Sequence, residues 1–469
     1  MNFKKNQVLE LDITDLGKDG EGIGHIDGYA LFVVGALPGE RVRVKLMKCK
    51  KNMGYGKLLE ILSSPADAGR VKPPCPVAAT CGGCTLQHIS YEKQLFYKEK
   101  RVKDCLSRLG KVDLSQVEWQ GILGMEDPWG YRNKAQFPVG VLPDNPKEVI
   151  SGFYAPRSHR LVPVSHCLIS EPEMEPVLKR IMDWICKEKI APYDEGCHAG
   201  VVRHIFLRYG KETGEMLVCL VLRKENISKE AYQALWESLM EEESCQVVGV
   251  CVNVNPDKTN VILGKKTRVL FGKGYIEDQI VNGDTEVTYH ISPESFYQVN
   301  PLQTRKLYGK ALEYAGLSGN ECVWDLYCGI GTISLFLAKK ARHVYGVEIV
   351  EAAVDNAREN ARLNNIDNVD FYVGKAEDVA EELMDREEAK PDVIVVDPAR
   401  KGCDEKLLNV IRRVAPKQVV YVSCDPATLA RDIKKLSEWG YCVKKGCAVD
   451  MFGQSAHIEC VIKLQRRDM

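Results

Sequence analysis

Cys424 closes a run whose composition is that of a buried strand. Val419-Val420-Tyr421-Val422 is β-branched and aromatic, Asp425-Pro426 breaks the strand, and the residues from Thr428 suit a helix. A thiol at that junction lies where open α/β sheets hold their ligands. The start of a helix also favours the thiolate, the nucleophilic form of cysteine. The competing reading is a buried structural thiol, and the chain holds 18 cysteines. Position alone does not separate the two.

A second group of thiols is compact in sequence. Cys75, Cys81 and Cys84 share a loop rich in proline and glycine, and Gly82-Gly83 lets the backbone wrap closely and leaves amides free to donate to sulfur. Three thiols at this density point to one metal centre, which needs a fourth ligand. Chemistry alone does not say which distant cysteine supplies it; Cys167, in His166-Cys167-Leu168, is a candidate. Zinc sites usually show two close ligand pairs. One Cys-x-x-Cys with a cysteine six residues upstream is closer to an iron–sulfur arrangement of three clustered thiolates and one remote.

The C-terminal third carries a cofactor signature. Cys322–Leu326 reads as a strand, Tyr327-Cys328-Gly329-Ile330-Gly331-Thr332 as a glycine turn, and Ile333–Lys340 as a helix. Val344–Glu348 is a second strand ending in a carboxylate, which can hold ribose hydroxyls. A dinucleotide fold usually has a third glycine to receive a pyrophosphate, and here it is missing. S-adenosylmethionine, which has no pyrophosphate, fits better than NAD. Val393–Val396 then runs into Asp397-Pro398-Ala399-Arg400 at the same crevice. Glu459 lies among β-formers in His457-Ile458-Glu459-Cys460-Val461-Ile462, read as an edge strand with Glu459 outward, because the Ile458/Cys460/Ile462 face would point inward.

These residues need elements to hold them. The chain has 469 residues, too many for one typical domain, and its net charge of −1 produces no global field for nucleic acid. No hydrophobic leader follows Met1-Asn2-Phe3-Lys4-Lys5, and no apolar run is long enough for a bilayer. The expectation is a cytoplasmic protein whose cysteines sit in a reducing compartment, with no membrane and no obligate protein partner. Residues 1–64 alternate at strand period between glycine turns and predict a small β-barrel. Arg41, Arg43 and Lys45 share one strand face there, a basic row suited to phosphates or to a solvated edge. Residues 65–88 and 118–287 form a central α+β domain containing the cysteine loop. Arg132, Lys134, Arg203 and Arg208 sit on its strands beside aromatics, an arrangement compatible with single-stranded RNA. Residues 89–117 hold an amphipathic helix, Tyr91–Gly110, expected to pack on the C-terminal cofactor domain; the helix's Lys98, Lys100, Arg101 and Lys103 read as a solvated face. Residues 288–469 form the Rossmann-like cofactor domain. The fold class is thus α/β plus β: barrel, central α+β domain, C-terminal α/β domain.

Taken together, these motifs resemble the RNA uracil-5 methyltransferases, and within them the iron–sulfur branch that acts on 23S ribosomal RNA. The resemblance spans essentially the whole chain, and the N-terminal barrel is similar to a TRAM domain. It implies that Cys75, Cys81, Cys84 and Cys167 ligate a 4Fe-4S cluster. In Ser295-Phe296-Tyr297-Gln298-Val299-Asn300, Gln298 would touch S-adenosyl-L-methionine, and Phe296 would stack near the target base. Tyr327, Glu348, Asp397 and Thr332 would also contact the cofactor. Cys424 would be the nucleophile, Glu459 the general base and Asp397 a positioning acid, with Arg132 and Lys134 as further RNA contacts. Two residues depart from the family pattern: Ala399 replaces the second proline of Asp-Pro-Pro-Arg, and Thr332 stands where some members carry asparagine. The implied reaction is methylation of carbon 5 of uridine in 23S rRNA, with a tRNA uridine as the alternative substrate.

Overall fold

The computed structural model describes residues 3–142 and 144–467; Met1, Asn2, Pro143, Asp468 and Met469 fall outside it. The first five strands, β1 (Val8–Leu16), β2 (Gly22–Ile26), β3 (Tyr29–Val34), β4 (Arg41–Cys49) and β5 (Met53–Ser63), close a barrel in the order β1-β2-β3-β5-β4. Period-two alternation creates its core: Val42, Val44 and Leu46 point inward with Leu31 and Val33, all fully buried. The basic row of β4 does face outward, but it is not free. Arg43 pairs with Glu10 on β1 and Glu60 on β5, and Arg41 lies 3.6 Å from Glu10. Lys45 is the exception in the row, with no ion pair among the described residues; elsewhere on the barrel Tyr55 stacks on Phe32 at 5.6 Å and lies 5.9 Å from Lys50 Nζ.

Helix α1 (Tyr91–Arg108) follows the cysteine loop, and then β6 (Glu118–Leu123). The central domain is a seven-stranded sheet of β7 (Lys134–Leu142), β8 (Asn145–Tyr154), β9 (Leu161–Pro163), β10 (Val202–Tyr209), β11 (Glu215–Leu222), β12 (Gln246–Val254) and β13 (Lys266–Gly272). Its order is β13-β12-β11-β10-β7-β8-β9, and helices α2 (Met174–Lys187) and α3 (Lys229–Met240) pack through Val177, Ile181, Leu235 and Leu239 on its apolar face. A hairpin of β14 (Ile276–Asn282) and β15 (Thr285–Ile291) leads into α4 (Pro301–Ala315).

The C-terminal domain alternates β16 (Cys322–Leu326), α5 (Thr332–Ala338), β17 (His343–Glu348), α6 (Glu351–Leu363), β18 (Val369–Val373), α7 (Ala376–Met384), β19 (Val393–Val396), α8 (Glu405–Val414), β20 (Gln418–Ser423), α9 (Pro426–Glu438), β21 (Tyr441–Val449) and β22 (Glu459–Arg466). The sheet runs β18-β17-β16-β19-β20-β22-β21-β6, parallel through β20. Two expectations change here. Residues 118–123 belong to this sheet and not to the central domain, because β6 pairs in parallel with β21. Separately, β22 is an interior strand between β20 and β21, and Glu459 is buried at 4% exposure, not turned outward.

The charged side of α1 is not a solvated face either. Lys98 is 3% exposed and ion-paired with Asp450, Lys100 reaches Asp15 of the barrel, and Arg101 donates to the carbonyls of Lys18 and Ala456. Among the described residues, no helix is long and apolar enough to cross a membrane.

Candidate active site

The local chemistry around Cys424 fixes the nucleophile junction. Asp425 caps α9 by accepting from the amides of Ala427 (2.9 Å) and Thr428 (3.2 Å), and Pro426 sits in the first turn, where its missing N–H costs nothing. Strand β20 pairs with β22 in antiparallel register that ends at Ser423 opposite Cys460. Cys424 is the next residue after Ser423 and Glu459 the residue before Cys460, so both lie at this end of the pairing, and the Glu459 charge acts on the Cys424 thiol. Asp397 leaves the neighbouring strand β19 at the same end of the sheet. Its loop is bound to α9, since Thr428 donates to the carbonyl of Arg400 (3.2 Å) and Arg431 to that of Lys401 (2.9 Å).

Burial and mutual repulsion dominate the electrostatics. Burial pushes the Cys424 thiol up to about 12, with the charges of Glu459 and Asp397 acting in the same direction and Arg400 opposing them. This differs from the sequence expectation of a helix-stabilised thiolate: burial, with the two carboxyls adding to it, outweighs the helix start. Burial also raises Glu459 well above the usual carboxylate range, reinforced by Asp397 and opposed by Arg400, and it raises Asp397 to about 7. Arg400, which sequence reasoning noted only as part of a motif, is the cation common to Cys424 and Glu459.

The cofactor turn lies on the adjoining strands. Gly329 and Gly331 have φ of 57° and 82°, and a Cβ added to Gly329 would meet nothing within 4 Å, so the backbone there opens onto free space. Tyr327 adopts a φ of 81°, which non-glycine residues reach rarely and mainly at functional sites. Glu348 accepts from the amides of Gly329 (3.2 Å) and Val350 (3.0 Å), which locks its carboxylate at the end of β17. Asp325, absent from the sequence reading, is fully buried at the end of β16; Ser334 donates to one oxygen and the other has no partner. An orphaned acceptor beside an open glycine turn suits the polar end of a nucleoside or amino-acid cofactor. These residues therefore fit S-adenosylmethionine. Thr332 is placed differently from the expectation: its hydroxyl accepts from Tyr308 at 3.1 Å and it lies buried beneath the turn.

The segment 292–300 bridges the two large domains. Asn133 donates to the Gln298 carbonyl (3.2 Å), Arg208 to the Ser295 carbonyl (2.8 Å), and Asn300 caps α4. Gln298 is buried, whereas Phe296 is 64% exposed. Arg208 stands opposite Lys134 across β10 and β7, and two of its guanidinium nitrogens lack partners. Burial, with Arg208 and Arg132 beside it, pushes Lys134 down to about 7, while Glu294 offsets part of the burial of Arg208. Arg132 donates to the Lys134 carbonyl at 3.0 Å. Arg203 is a structural residue: it is buried, its guanidinium donates to the carbonyls of Asn255 and Asp257, and it covers the Tyr193 ring at 4.5 Å.

Cys75, Cys81, Cys84 and Cys167 line a single cavity of about 360 Å³, which extends past Arg132 to Phe452 and His457, near Glu459. All four are free thiols. The Gly83 amide donates to Cys81 Sγ at 3.4 Å, and a Cβ on Gly82 would come within 2.8 Å of the Tyr154 carbonyl. Burial pushes Cys84 up to about 12, and the three other thiols add to the shift. Among the described residues, no three His, Cys, Asp or Glu side chains gather closely enough to hold a single metal ion.

Comparison with known proteins agrees with this geometry. Residues 211–467 match the tRNA (uracil-5-)-methyltransferase family, and residues 2–59 match the TRAM domain. An uncharacterized RNA methyltransferase of Halalkalibacterium halodurans is 48% identical over 466 residues, 99% of this chain and 98% of that protein. One from Clostridium tetani is 48% identical over 461 residues, 98% and 96% of the two chains. Among solved structures, the Pyrococcus abyssi tRNA (uracil-54, C5)-methyltransferase in complex with S-adenosyl-L-homocysteine is 28% identical with a TM-score of 0.75, covering 97% of this chain and 99% of that one. An N-terminal barrel, a nucleoside turn and a strand-end cysteine in this order, with whole-chain relatives, leave one assignment: the chain belongs to the tRNA (uracil-5-)-methyltransferase family of S-adenosylmethionine-dependent RNA methyltransferases and carries an N-terminal TRAM domain.

Proposed function

We propose that the protein methylates carbon 5 of uridine in 23S rRNA through a covalent Cys424–uracil adduct. The observation that supports this reading is that the β20–β22 pairing ends at Ser423 and Cys460, one residue short of Cys424 and Glu459 respectively, with Glu459 buried and its charge felt at the Cys424 thiol. Carbon 5 of uracil is a poor nucleophile. Cys424 as thiolate adds to carbon 6, forming the C–S bond and moving the ring's electrons to an enolate. Bound S-adenosylmethionine supplies an electrophilic methyl group in line with the activated carbon 5. Glu459 then takes the carbon-5 proton, and the electron pair released re-forms the ring double bond as the C–S bond breaks. Arg400 is the nearby cation that favours the thiolate, and Asp397 orients the base or the donor. The target nucleotide must leave its stack to reach Cys424.

Gln298, Tyr327 and Glu348 would hold the cofactor, with Asp397 beside its methyl end and Thr332 supporting the turn from below. Phe296, exposed on the same segment as Gln298, is suited to stack on the flipped base or a neighbour. Arg132 and Lys134, which lack an acidic partner, are suited to RNA phosphates. Cys75, Cys81, Cys84 and Cys167 all line one cavity, which supports a 4Fe-4S cluster held by them, although among the described residues no such group is close enough to hold a metal ion as it stands. Methyl transfer here needs no electron, so its role is to order the loop and the RNA surface. The reading places the enzyme in the cytoplasm with RNA as its partner.

A second substrate reading has its own support: the whole-chain likeness to an enzyme described as acting on uracil 54 of tRNA. Incubating the enzyme with methyl-labelled cofactor and either 23S rRNA or tRNA, then quantifying 5-methyluridine by mass spectrometry, separates the two. The expected result is label in rRNA. Label confined to tRNA would keep the chemistry and overturn the substrate.

A further inference from the structure

Glu459 is the first residue after the loop that joins β21 to β22, so its position depends on what holds that loop. The loop is anchored at its ends by the buried side chains of Met451 and Ile458 and by bonds from Tyr131, Asn300 and Gln303 to its carbonyls, and between them buried polar groups from the cysteine loop and α1 hold its turn. Asp450, fully buried, accepts from Lys98 Nζ (2.6 Å) and the Tyr91 hydroxyl (2.8 Å), and Lys98 also donates to the Phe452 carbonyl (3.0 Å). Gln454 has a left-handed φ of 65° and is 3% exposed. Its side-chain oxygen accepts from Gln94 Nε2 (3.0 Å), and its amide donates to Gln94 Oε1 (3.1 Å). The Gln454 carbonyl accepts from the amides of Thr85 and Leu86, both at 2.9 Å, immediately after Cys84. Arg101 Nη1 donates to the Ala456 carbonyl at 2.9 Å, three residues before Glu459.

These donors divide α1 into two working halves. Its first three turns hold the loop. Its last turns pack Val102 and Leu106 into the apolar core that contains Leu429 and Ile433 of α9. The nucleophile junction has its own supports, the Asp425 cap and the bond from Ser423 Oγ to the Asp425 carbonyl (3.1 Å). The loop can therefore loosen without displacing Cys424.

From this separation we infer that the first half of α1, with Thr85 and Leu86, is a clamp that sets the reach of Glu459, making Gln94 and Tyr91 positioning residues for proton removal and release of the adduct, and not for its formation. Gln94 and Tyr91 touch neither substrate nor cofactor; they act through Gln454 and Asp450. The clamp rests on the reading of Glu459 as the base. One jaw begins a residue after Cys84, so order in the cysteine loop and order in the base loop are joined through the Gln454 carbonyl.

The test is a rapid-quench experiment on the full-length protein with target RNA and methyl-labelled S-adenosylmethionine. Denaturant-stable protein–RNA adduct and free methylated RNA are counted separately. For Gln94→Ala and Tyr91→Phe, adduct formation is expected to stay within about threefold of the unsubstituted enzyme. Release is expected to slow by about tenfold or more, so that adduct accumulates at steady state. A purely structural role would slow both steps together, and that result overturns the clamp. Tyr91→Phe removes a single hydroxyl, so it decides the matter if Gln94→Ala fails to fold. Glu459→Gln in the same assay separates the two layers of argument. If it accumulates no adduct, the base assignment falls; if it does while both clamp variants release normally, only the clamp falls.

Discussion

The charge state of Cys424 before RNA binds can be predicted from its surroundings. Burial raises the thiol to about 12, assisted by Glu459 and Asp397 and opposed by Arg400. At pH 8 a group at that value is ionised to about one part in ten thousand, while an ordinary thiol near 8.5 is roughly one quarter ionised. The thiolate fraction is therefore lower by about three orders of magnitude. A more basic thiolate is also more nucleophilic, which recovers roughly fortyfold. The net expectation is alkylation about fiftyfold slower than an ordinary thiol at the same pH. Peptide-resolved iodoacetamide kinetics measure this directly, with the exposed Cys186 and Cys197 as internal references. Between pH 7 and 10 the Cys424 rate should climb about tenfold per unit without levelling, because the free thiol remains mostly protonated throughout. That slope does not depend on how easily the reagent enters the site. Arg400→Gln removes the only cation drawing the value down and should slow alkylation further at every pH. A rate that levels off below pH 8 would show a free-enzyme thiolate and refute the argument that burial and the two carboxyls outweigh the helix start.

Two other expectations concern stability and RNA affinity. Lys98→Met leaves Asp450 buried without its cation and should destabilise the fold by about 3–5 kcal/mol, with Lys98→Met/Asp450→Asn recovering much of the loss; thermal melts of the two proteins give the comparison. On the barrel, Tyr55→Ala should weaken RNA binding by about 1–3 kcal/mol through lost stacking, whereas Arg43→Ala should matter less because Glu10 and Glu60 already occupy it. Titrations of both variants at one salt concentration rank them, and the reverse order would return the RNA surface to the β4 row.

Much of this arrangement was legible in the sequence because its signals are local. The barrel follows from strand alternation between glycine turns, and the strand–turn–helix units of the cofactor domain follow from apolar runs cut by glycine and proline. Cys424 stands at a strand end in both the sequence reading and the structure. What escaped depends on partners distant in sequence. Lys98 looks solvated on a helical wheel because Asp450 lies 352 residues away. Glu459 looks like an edge residue because the strands covering β22 include β21, which is itself covered by β6 from residues 118–123. The β4 arginines look free until β1 and β5 bring acids beside them. Asp325 had no motif to announce it, and only its unpaired buried oxygen marks it. In each case local pattern gives the element, and tertiary pairing decides the charge.

The central claim is that Cys424 bonds to the uracil during turnover. RNA carrying 5-fluorouridine at the target position tests it most directly, because fluorine at carbon 5 leaves no proton for Glu459 to remove. The protein should form a denaturant-stable, methylated adduct with that RNA, and peptide mass spectrometry should place it on Cys424, with none formed by Cys424→Ala. An adduct mapped to another cysteine, or no adduct from a preparation that methylates ordinary RNA, would contradict the covalent mechanism.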